Sequence, residues 1–316
     1  MNQVKAVSAV ATSTSKVPAI NFHFTRQCNY HCKFCFHTKK SCFMLKKEDQ
    51  FEILRQFRQA GSEKVNFAGG EPFLFSERLG ELVKASKEKY GYPSVSIITN
   101  GSIVKPEWFE KYGKYLDILG VSCDSIQPKV NLCHGRNFNS FRLPVEQSKK
   151  YETLSQICHN QGILFKVNTV VTQLNKNEVL ADFINKLDPC RWKIFQILEI
   201  KNENGGDRLQ PLLITPKDFE RYVQRNLAGL PPSKKKILVK ESNEMMQNSY
   251  ILVDEFGRLL DVSTGNKLPT HSIVKVGLTK ALQELGNGFD KDMFYKRGGY
   301  YQWQKQSPYQ YNKINF

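Results

Sequence analysis

Cys28, Cys32 and Cys35 fall within eight residues in the spacing Cys-x3-Cys-x2-Cys, which puts three soft thiolates on one tight loop. Such a donor set suits an iron–sulfur cluster or a zinc ion. Zinc requires a fourth ligand, and His31 and His37 are near enough in sequence to be candidates. The chain has eight cysteines and no secretion signal, which argues for metal or redox use over a disulfide framework. Cys42, Cys123, Cys133, Cys158 and Cys190 are scattered and read as small apolar or incidental thiols. A second segment with chemical potential is Gly69-Gly70-Glu71-Pro72, 34 residues after Cys35. Paired glycines let a ligand approach the backbone, and the Glu71 carboxylate can accept hydrogen bonds from an ammonium group.

These segments are positioned by a repeating pattern. Short apolar runs rich in β-branched and aromatic residues predict strands at Ile20–Phe24, Val65–Ala68, Val95–Thr99, Ile118–Ser122, Leu164–Val170 and Trp192–Leu198. Helical periodicity or helix-start signals fall between them, at Lys46–Ala60, Glu77–Tyr90, Pro106–Tyr112, Pro144–Asn160 and Glu178–Leu187. Strands that alternate with helices predict an α/β fold with a parallel sheet, here a partial (βα)6 TIM-like barrel. Chemistry in such sheets gathers on the loops that follow the strands. The cysteine loop, the Gly-Gly-Glu-Pro turn, Thr99-Asn100-Gly101 and Ser122-Cys123-Asp124-Ser125 all lie there. After Lys201 the βα rhythm gives way to mixed segments with turn signals. The predicted organisation is therefore a flexible leader over residues 1–18, a barrel over 19–198, and a C-terminal extension over 199–316 that closes the open side and completes the site.

Composition narrows the class further. With 40% hydrophobic, 12% aromatic and 24% charged residues, the chain is that of an ordinary globular protein. No apolar run approaches the ~18 residues of a membrane span, and the leader lacks the apolar core of a signal peptide, so a cytoplasmic location is expected. The net charge of +16 favours anionic ligands without choosing among nucleic acid, membrane and nucleotide. Apart from a cluster at Lys234, Lys235 and Lys236, the lysines are spread along the chain, as on a merely soluble basic surface.

The three-cysteine loop, with aromatic Phe34 before its last cysteine, resembles the signature of the radical S-adenosylmethionine superfamily. That resemblance implies a [4Fe-4S] cluster with one iron left open for S-adenosylmethionine, whose amino group the Gly69-Gly70-Glu71-Pro72 motif receives. At finer resolution the chain is similar to the viperins from Asn21 to Trp303. The matching stretches include Asn21-Phe22-His23-Phe24-Thr25-Arg26-Gln27-Cys28-Asn29-Tyr30, Val121-Ser122-Cys123-Asp124-Ser125, Glu241-Ser242-Asn243 and Lys296-Arg297-Gly298-Gly299. The resemblance implies a nucleotide dehydratase: a 5′-deoxyadenosyl radical takes hydrogen from the ribose 4′ position of a ribonucleoside triphosphate. Loss of the 3′-hydroxyl and a further reduction then give the 3′-deoxy-3′,4′-didehydro product, an antiviral RNA chain terminator. Glu241-Ser242-Asn243 matches the pattern of relatives that use CTP; UTP or GTP is the alternative.

Carried over by motif, Phe34, Gly69, Gly70, Glu71, Asn100, Ser122 and Arg136 are expected around S-adenosylmethionine. Asn21, Lys64, Lys166, Asn168, Arg191, Lys193, Lys267 and Arg297 are expected around the nucleotide. A triphosphate needs such a ring of cations. In Lys166-Val167-Asn168 and Arg191-Trp192-Lys193 the polar residues are two apart on predicted strands and share one face. Tyr250 matches a tyrosine that donates hydrogen or an electron late in the reaction, although a lone tyrosine in Ser249-Tyr250-Ile251-Leu252 also suits a core strand.

The chain departs from the vertebrate pattern in three places. It starts almost at the catalytic region, so the amphipathic membrane anchor of vertebrate viperins is expected to be missing. Ala68 replaces a serine, and Asn137-Phe138-Asn139-Ser140 replaces a glycine- and lysine-rich stretch. A monomer with an unidentified electron donor and no direct nucleic-acid binding is expected. A rival of another class, a zinc-containing basic RNA-binding module, would use the same cysteines and lysines but leaves the βα units unexplained.

Overall fold

The computed structural model describes residues 17–136 and 147–305. Residues 1–16 of the expected leader and the Asn137–Ser140 departure lie outside the described residues. Val17 and Pro18 belong to the barrel: Val17 is buried in the core, and the Pro18 carbonyl accepts from Glu63 N and Lys64 N.

The first six βα units run β1 (Ala19–His23), α1 (Lys47–Gln59), β2 (Lys64–Ala68), α2 (Ser76–Glu88), β3 (Ser94–Thr99), α3 (Pro106–Tyr112), β4 (Ile118–Ser122), α4 (Pro128–His134), α5 (Gln147–Asn160), β5 (Leu164–Val171), α6 (Ala181–Leu187) and β6 (Arg191–Gln196). Proline at the first turn sets the start of α3 and α4, where a missing N–H costs nothing. Helix α1 buries Ile53, Leu54 and Phe57 on one face and carries Glu48 and Asp49 in its first turn, against the helix dipole. Each expected strand forms, with ends within two residues of expectation; the added element is α4. Residues 144–146 of the expected Pro144–Asn160 helix are outside the described residues.

The extension supplies α7 (Pro216–Gly229), β7 (Leu238–Glu241), α8 (Asn243–Met246), β8 (Ile251–Val253), β9 (Arg258–Asp261), β10 (Leu268–Ser272), α9 (Ile273–Val276), α10 (Leu278–Leu285) and α11 (Lys291–Lys296). A capping box between Thr215 and Asp218 opens α7. The sheet order is β10-β9-β8-β1-β2-β3-β4-β5-β6-β7. All pairs from β8 to β7 are parallel, and β9 and β10 add antiparallel to the β8 edge. The extension thus widens the sheet at both edges. β7 and β8 do not pair, so the wall stays open between them. Side chains span that gap: the Tyr250 hydroxyl, immediately before β8, donates to Glu241 at the end of β7.

Parallel strands are covered on their outer face by helices, and the core reflects that burial. Ile20, Phe22, Val65, Phe67, Val95, Ile97, Val121, Phe165, Val167, Trp192 and Ile194 are buried in one continuous apolar cluster with the inner faces of α1, α2 and α5. The alternate strand residues face inward, where the polar ones collect.

Candidate active site

The inward faces and the loops after the strands enclose a cavity of about 340 Å³. Cys28, Cys32, Cys35, Phe34, Gly69, Gly70, Asn100, Ser122 and Arg136 line one part of it. Asn21, Lys64, Lys166, Asn168, Lys193, Tyr250 and Arg297 line another. Most of the residues expected around two different ligands therefore share one chamber.

The cysteine loop is pinned to its neighbours by backbone bonds, with His31 N donating to Gly135 O (3.1 Å) and Lys33 N to His134 O (2.9 Å). Tyr30 N donates to the Cys28 sulfur at 3.4 Å. Phe34 packs against Ile197, Leu209 and Leu212, and its ring meets His134 edge-on. Burial pushes the Cys28 thiol up to about 11 and raises Cys32 and Cys35 as well. Three such sulfurs stay deprotonated only against a cationic partner, and an iron–sulfur core with three thiolate ligands fits that requirement.

Among the described residues no fourth ligand stands in place for a zinc knuckle. Among the described residues no three His, Cys, Asp or Glu side chains converge on a single ion. A cubane cluster takes each thiolate on a separate iron and needs no such convergence. His31 is exposed, whereas His37 is buried, with Nδ1 3.3 Å from Lys267 Nζ.

The glycines of the second loop are required by the chain itself. Gly70 N donates to Thr25 O and Glu71 N to Gln27 O, both at 2.8 Å. A Cβ on Gly69, at φ +145°, would lie 2.3 Å from Thr25 O, and one on Gly70 would lie 2.0 Å from Gln27 O. The close approach thus brings the Gly-Gly turn against the residues leading into Cys28. Glu71 is fully buried and accepts from Thr99 Oγ1 (2.7 Å), Asn100 N (2.7 Å) and Phe73 N (3.0 Å). It sits behind the cavity wall and fixes the loop that carries Asn100. Asn100 Nδ2 in turn donates to Asn29 Oδ1 at 2.9 Å. Arg136 is ion-paired with Asp124 and donates to the Ser122 carbonyl at 2.9 Å.

At the other end, inward residues on adjacent strands stand in register. Asn21 pairs with Asn66, and Asn66 with Ser96. Their side chains form a ladder: Ser96 Oγ donates to Asn66 Oδ1 (2.7 Å), and Asn66 Nδ2 donates to Asn21 Oδ1 (2.6 Å). Ser122, Asn168 and Lys193 form a second row across β4, β5 and β6, and the buried side-chain oxygen of Asn168 has no hydrogen-bond partner among the described residues. Sequence reasoning missed Asn66 and Ser96, although both show the period-2 polar signal that singled out Lys166 and Asn168.

Cations dominate this end. Lys64 Nζ lies 4.8 Å from the Tyr301 ring centre and 5.1 Å from that of Trp303, and donates to the Tyr301 hydroxyl. Arg191 stacks over Tyr301 at 4.2 Å and donates to Gly298 O. Burial lowers Lys64 well below its ordinary value, and burial with Arg191 nearby lowers Lys166 to about 8. Among the described residues neither Lys64, Lys166 nor Arg191 is ion-paired with a carboxylate. Beside Lys64 and Arg191, aromatic faces, which attract cations weakly, stand where carboxylates would otherwise be.

Glu241 is the counter-charge for the remaining pair: it is ion-paired with Lys193 and with Arg297 at 3.2 Å. Lys193 also donates to the Tyr250 hydroxyl at 3.0 Å, and Arg297 lies over the Tyr250 ring at 3.7 Å. Arg191 backs the cavity through Tyr301. Lys267 is not among the residues lining the cavity; its ammonium donates to Phe36 O, beside Cys35.

Comparison with known proteins agrees with this layout. Residues 22–181 match the radical SAM superfamily, and the fold is shared with anSMEcpe with bound AdoMet (TM-score 0.61, 17% identity, 88% of this chain and 84% of that one). It is shared equally with SuiB of Streptococcus suis bound to S-adenosylmethionine (TM-score 0.61, 17% identity, 89% and 68%). The chain is a radical S-adenosylmethionine enzyme in class.

Over nearly its whole length the chain is also similar to the S-adenosylmethionine-dependent nucleotide dehydratase RSAD2 of Oncorhynchus mykiss (40% identity, 96% of this chain and 85% of that one). A bacterial relative, the S-adenosylmethionine-dependent nucleotide dehydratase of Flammeovirga pacifica, is 37% identical over 94% of this chain and 100% of its own. The chain belongs to this family, the viperins. Its cofactors are accordingly a [4Fe-4S] cluster and S-adenosylmethionine, with Cys28, Cys32 and Cys35 as the residues that would hold the cluster. No helix among the described residues is long and apolar enough to cross a membrane.

Proposed function

We propose that the protein dehydrates a ribonucleoside triphosphate, CTP, to its 3′-deoxy-3′,4′-didehydro derivative, a terminator of viral RNA synthesis. The carrying observation is that one cavity joins the cysteine loop to Lys64, Lys166, Lys193 and Arg297. A neutral or singly charged substrate would not call for so many cations, whereas a triphosphate carries about four negative charges and binds well to charge-assisted donors. CTP is favoured over UTP and GTP by the resemblance of Glu241-Ser242-Asn243 to relatives that use it.

In this reading Phe34, Gly69, Gly70, Asn100, Ser122 and Arg136 surround S-adenosylmethionine, and Glu71 acts by holding Asn100 and the Gly-Gly turn in place. Cys28, Cys32 and Cys35 would hold the cluster, which when bound and reduced would supply the electron for cleavage of S-adenosylmethionine and so for hydrogen removal from the ribose. Asn21, Asn168 and the cations hold the nucleotide so that its ribose faces the cofactor end. The Tyr250 hydroxyl, held between Lys193 and Glu241, is positioned to donate hydrogen or an electron to the nucleotide after the 3′-hydroxyl has left. An external carrier supplies electrons to the monomer in the cytoplasm.

The test is to incubate reconstituted protein with S-adenosylmethionine, dithionite and each of the four ribonucleoside triphosphates in turn. CTP is expected to give 5′-deoxyadenosine and a nucleotide product lighter by one water. Turnover with UTP or GTP in preference to CTP would reassign the base, and none with any triphosphate would remove the reading.

A further inference from the structure

The cysteine loop has two halves, and different parts of the chain hold them. The first half is tied to the end of α4 by His31 N and Lys33 N. The second half, around and after Cys35, is held largely by the extension, with Arg26 also donating to Thr38 O at 3.0 Å. The carbonyls on both sides of Cys35 are engaged: Phe34 O accepts from Asn204 Nδ2 at 3.3 Å, and Phe36 O accepts from Lys267 Nζ. Thr38 N and Thr38 Oγ1 both donate to Glu203 Oε1 at 2.7 Å, and Lys40 donates to Asn202 O.

These groups also hold one another. Asn202 makes a two-way pair with the Lys267 backbone, accepting from Lys267 N at 2.7 Å and donating to Lys267 O at 2.9 Å. Glu203 is ion-paired with Arg26 at 2.7 Å and lies 3.5 Å from Lys267, and Arg26 is held in turn by Glu255 at 3.0 Å. All four charged side chains are at most 7% exposed. Two cations and two carboxylates balance, so no net charge is buried. Such a network is nevertheless seldom more stable than apolar packing of the same volume, and its place in the fold suggests what it does instead.

We propose that Asn202, Glu203, Asn204 and Lys267 form a clasp on the Phe34–Lys40 half of the loop, through which the C-terminal extension sets the retention and reduction potential of the cluster. The proposal rests on the assignment of that cluster to Cys28, Cys32 and Cys35. Hydrogen bonds and charges around cluster ligands are the protein's means of tuning potential and ligand orientation. Lys267 places a positive charge one residue from Cys35, where it favours the more negative, reduced cluster. It is a positioning residue for the cluster.

The test uses full-length reconstituted protein, with the potential read by an EPR-monitored reductive titration and cluster loss followed by absorbance in the presence of a chelator. Lys267→Met is expected to shift the potential to a more negative value and to speed cluster loss several-fold. Lys267→Arg should stay near wild type, and Lys39→Met, an exposed lysine on the same loop, should change neither quantity. Asn204→Ala removes the bond to Phe34 O together with the Asn204 bonds to Leu198 O and Ile200 N, and is expected to speed cluster loss even if Lys267→Met folds poorly. Wild-type potential and cluster lifetime in both Lys267→Met and Asn204→Ala would overturn the clasp while leaving the cluster in place. A wild-type protein that takes up no cluster would overturn the cysteine assignment and the clasp together.

Discussion

The Tyr250 hydroxyl donates to Glu241 from the position just before β8, and Glu241 is the last residue of β7, so this bond joins the two strands between which the sheet is open. Glu241 is at the same time the carboxylate partner of Lys193 and Arg297. One side chain both bridges the barrel wall and is the shared counter-charge of Lys193 and Arg297.

Replacing Glu241 by Gln should expose that double duty. The change leaves two buried cations without a counter-ion, a loss typically worth ~3–5 kcal/mol. Thermal unfolding of Glu241→Gln is expected at a clearly lower temperature than wild type, and CTP should recover more of it than it adds to wild type, because the triphosphate supplies the missing charge. An equal gain from CTP in the two proteins would place the nucleotide away from Lys193 and Arg297.

The same residue gives a pH signature. Burial alone would raise the Glu241 carboxyl, but Lys193 and Arg297 outweigh burial and hold it at about 2, below its ordinary 4.5. A depressed carboxyl stabilises the fold above the unfolded value, and that contribution is lost as pH falls from about 4.5 toward 2. Acid unfolding curves should therefore be steeper for wild type than for Glu241→Gln in that window. Parallel curves would show that the pair contributes little.

Lys166 offers the cleaner test of phosphate binding, because it has no carboxylate to set free. Lys166→Ala should lose a charge-assisted contact worth ~1.5–3 kcal/mol, about a ten- to hundredfold weaker affinity for CTP with little change for cytidine. Lys193→Ala and Arg297→Ala should lose more for CTP, since each also leaves Glu241 facing the phosphates. Because Lys166 is lowered to about 8, CTP affinity should fall as pH rises through that value. The fall should be smaller in Lys166→Ala. Isothermal titration of both ligands would decide, and equal losses for CTP and cytidine would make these side chains supports of the fold.

The barrel was legible because its strands are long apolar runs whose outer faces are buried under helices, as with Val95–Thr99 and Ile118–Ser122. β7, β8 and β9 were not, because strands of three or four residues such as Ile251–Val253 carry too few positions to show a period. Spacing singled out the three cysteines as one donor set with iron–sulfur and zinc both open, and the resemblance favoured the cluster. Lys267 was assigned to the nucleotide by resemblance, but only the fold reveals its contact with Phe36 O, made 231 residues away in sequence. Glu241 was read as part of a base-recognition pattern, since nothing local announces its two cationic partners.

Steric limits at the Gly-Gly turn give a contrast in stability. Gly70→Ala would drive a methyl into the Gln27 carbonyl and should cost ~3 kcal/mol or more, the range of severe single substitutions, with loss of the cluster site. Gly91, by contrast, has positive φ and open space around it, so Gly91→Ala should cost only the ~1 kcal/mol of a left-handed backbone. Equal unfolding temperatures for the two variants would mean that the turn can move off the cysteine loop.

For the metal site itself, Cys28→Ala, Cys32→Ala and Cys35→Ala are each expected to abolish the broad visible absorbance of the reconstituted protein. Cys42→Ala, an exposed thiol outside the cavity, should keep it. The opposite pattern for Cys42 and Cys35 would show that the ligand set is wrong.

Arg26, two residues before Cys28, finds Glu255 at a separation of 229 residues, and this spacing bears on how the protein is made. At a translation rate of about 5–20 residues per second, Glu255 is added on the order of ten to fifty seconds after Arg26. The cysteine loop therefore emerges from the ribosome long before the residues that brace it, and β1 waits the same interval for β8. If the proposed clasp retains the cluster, its durable loading is expected only once Glu203, Glu255 and Lys267 have emerged.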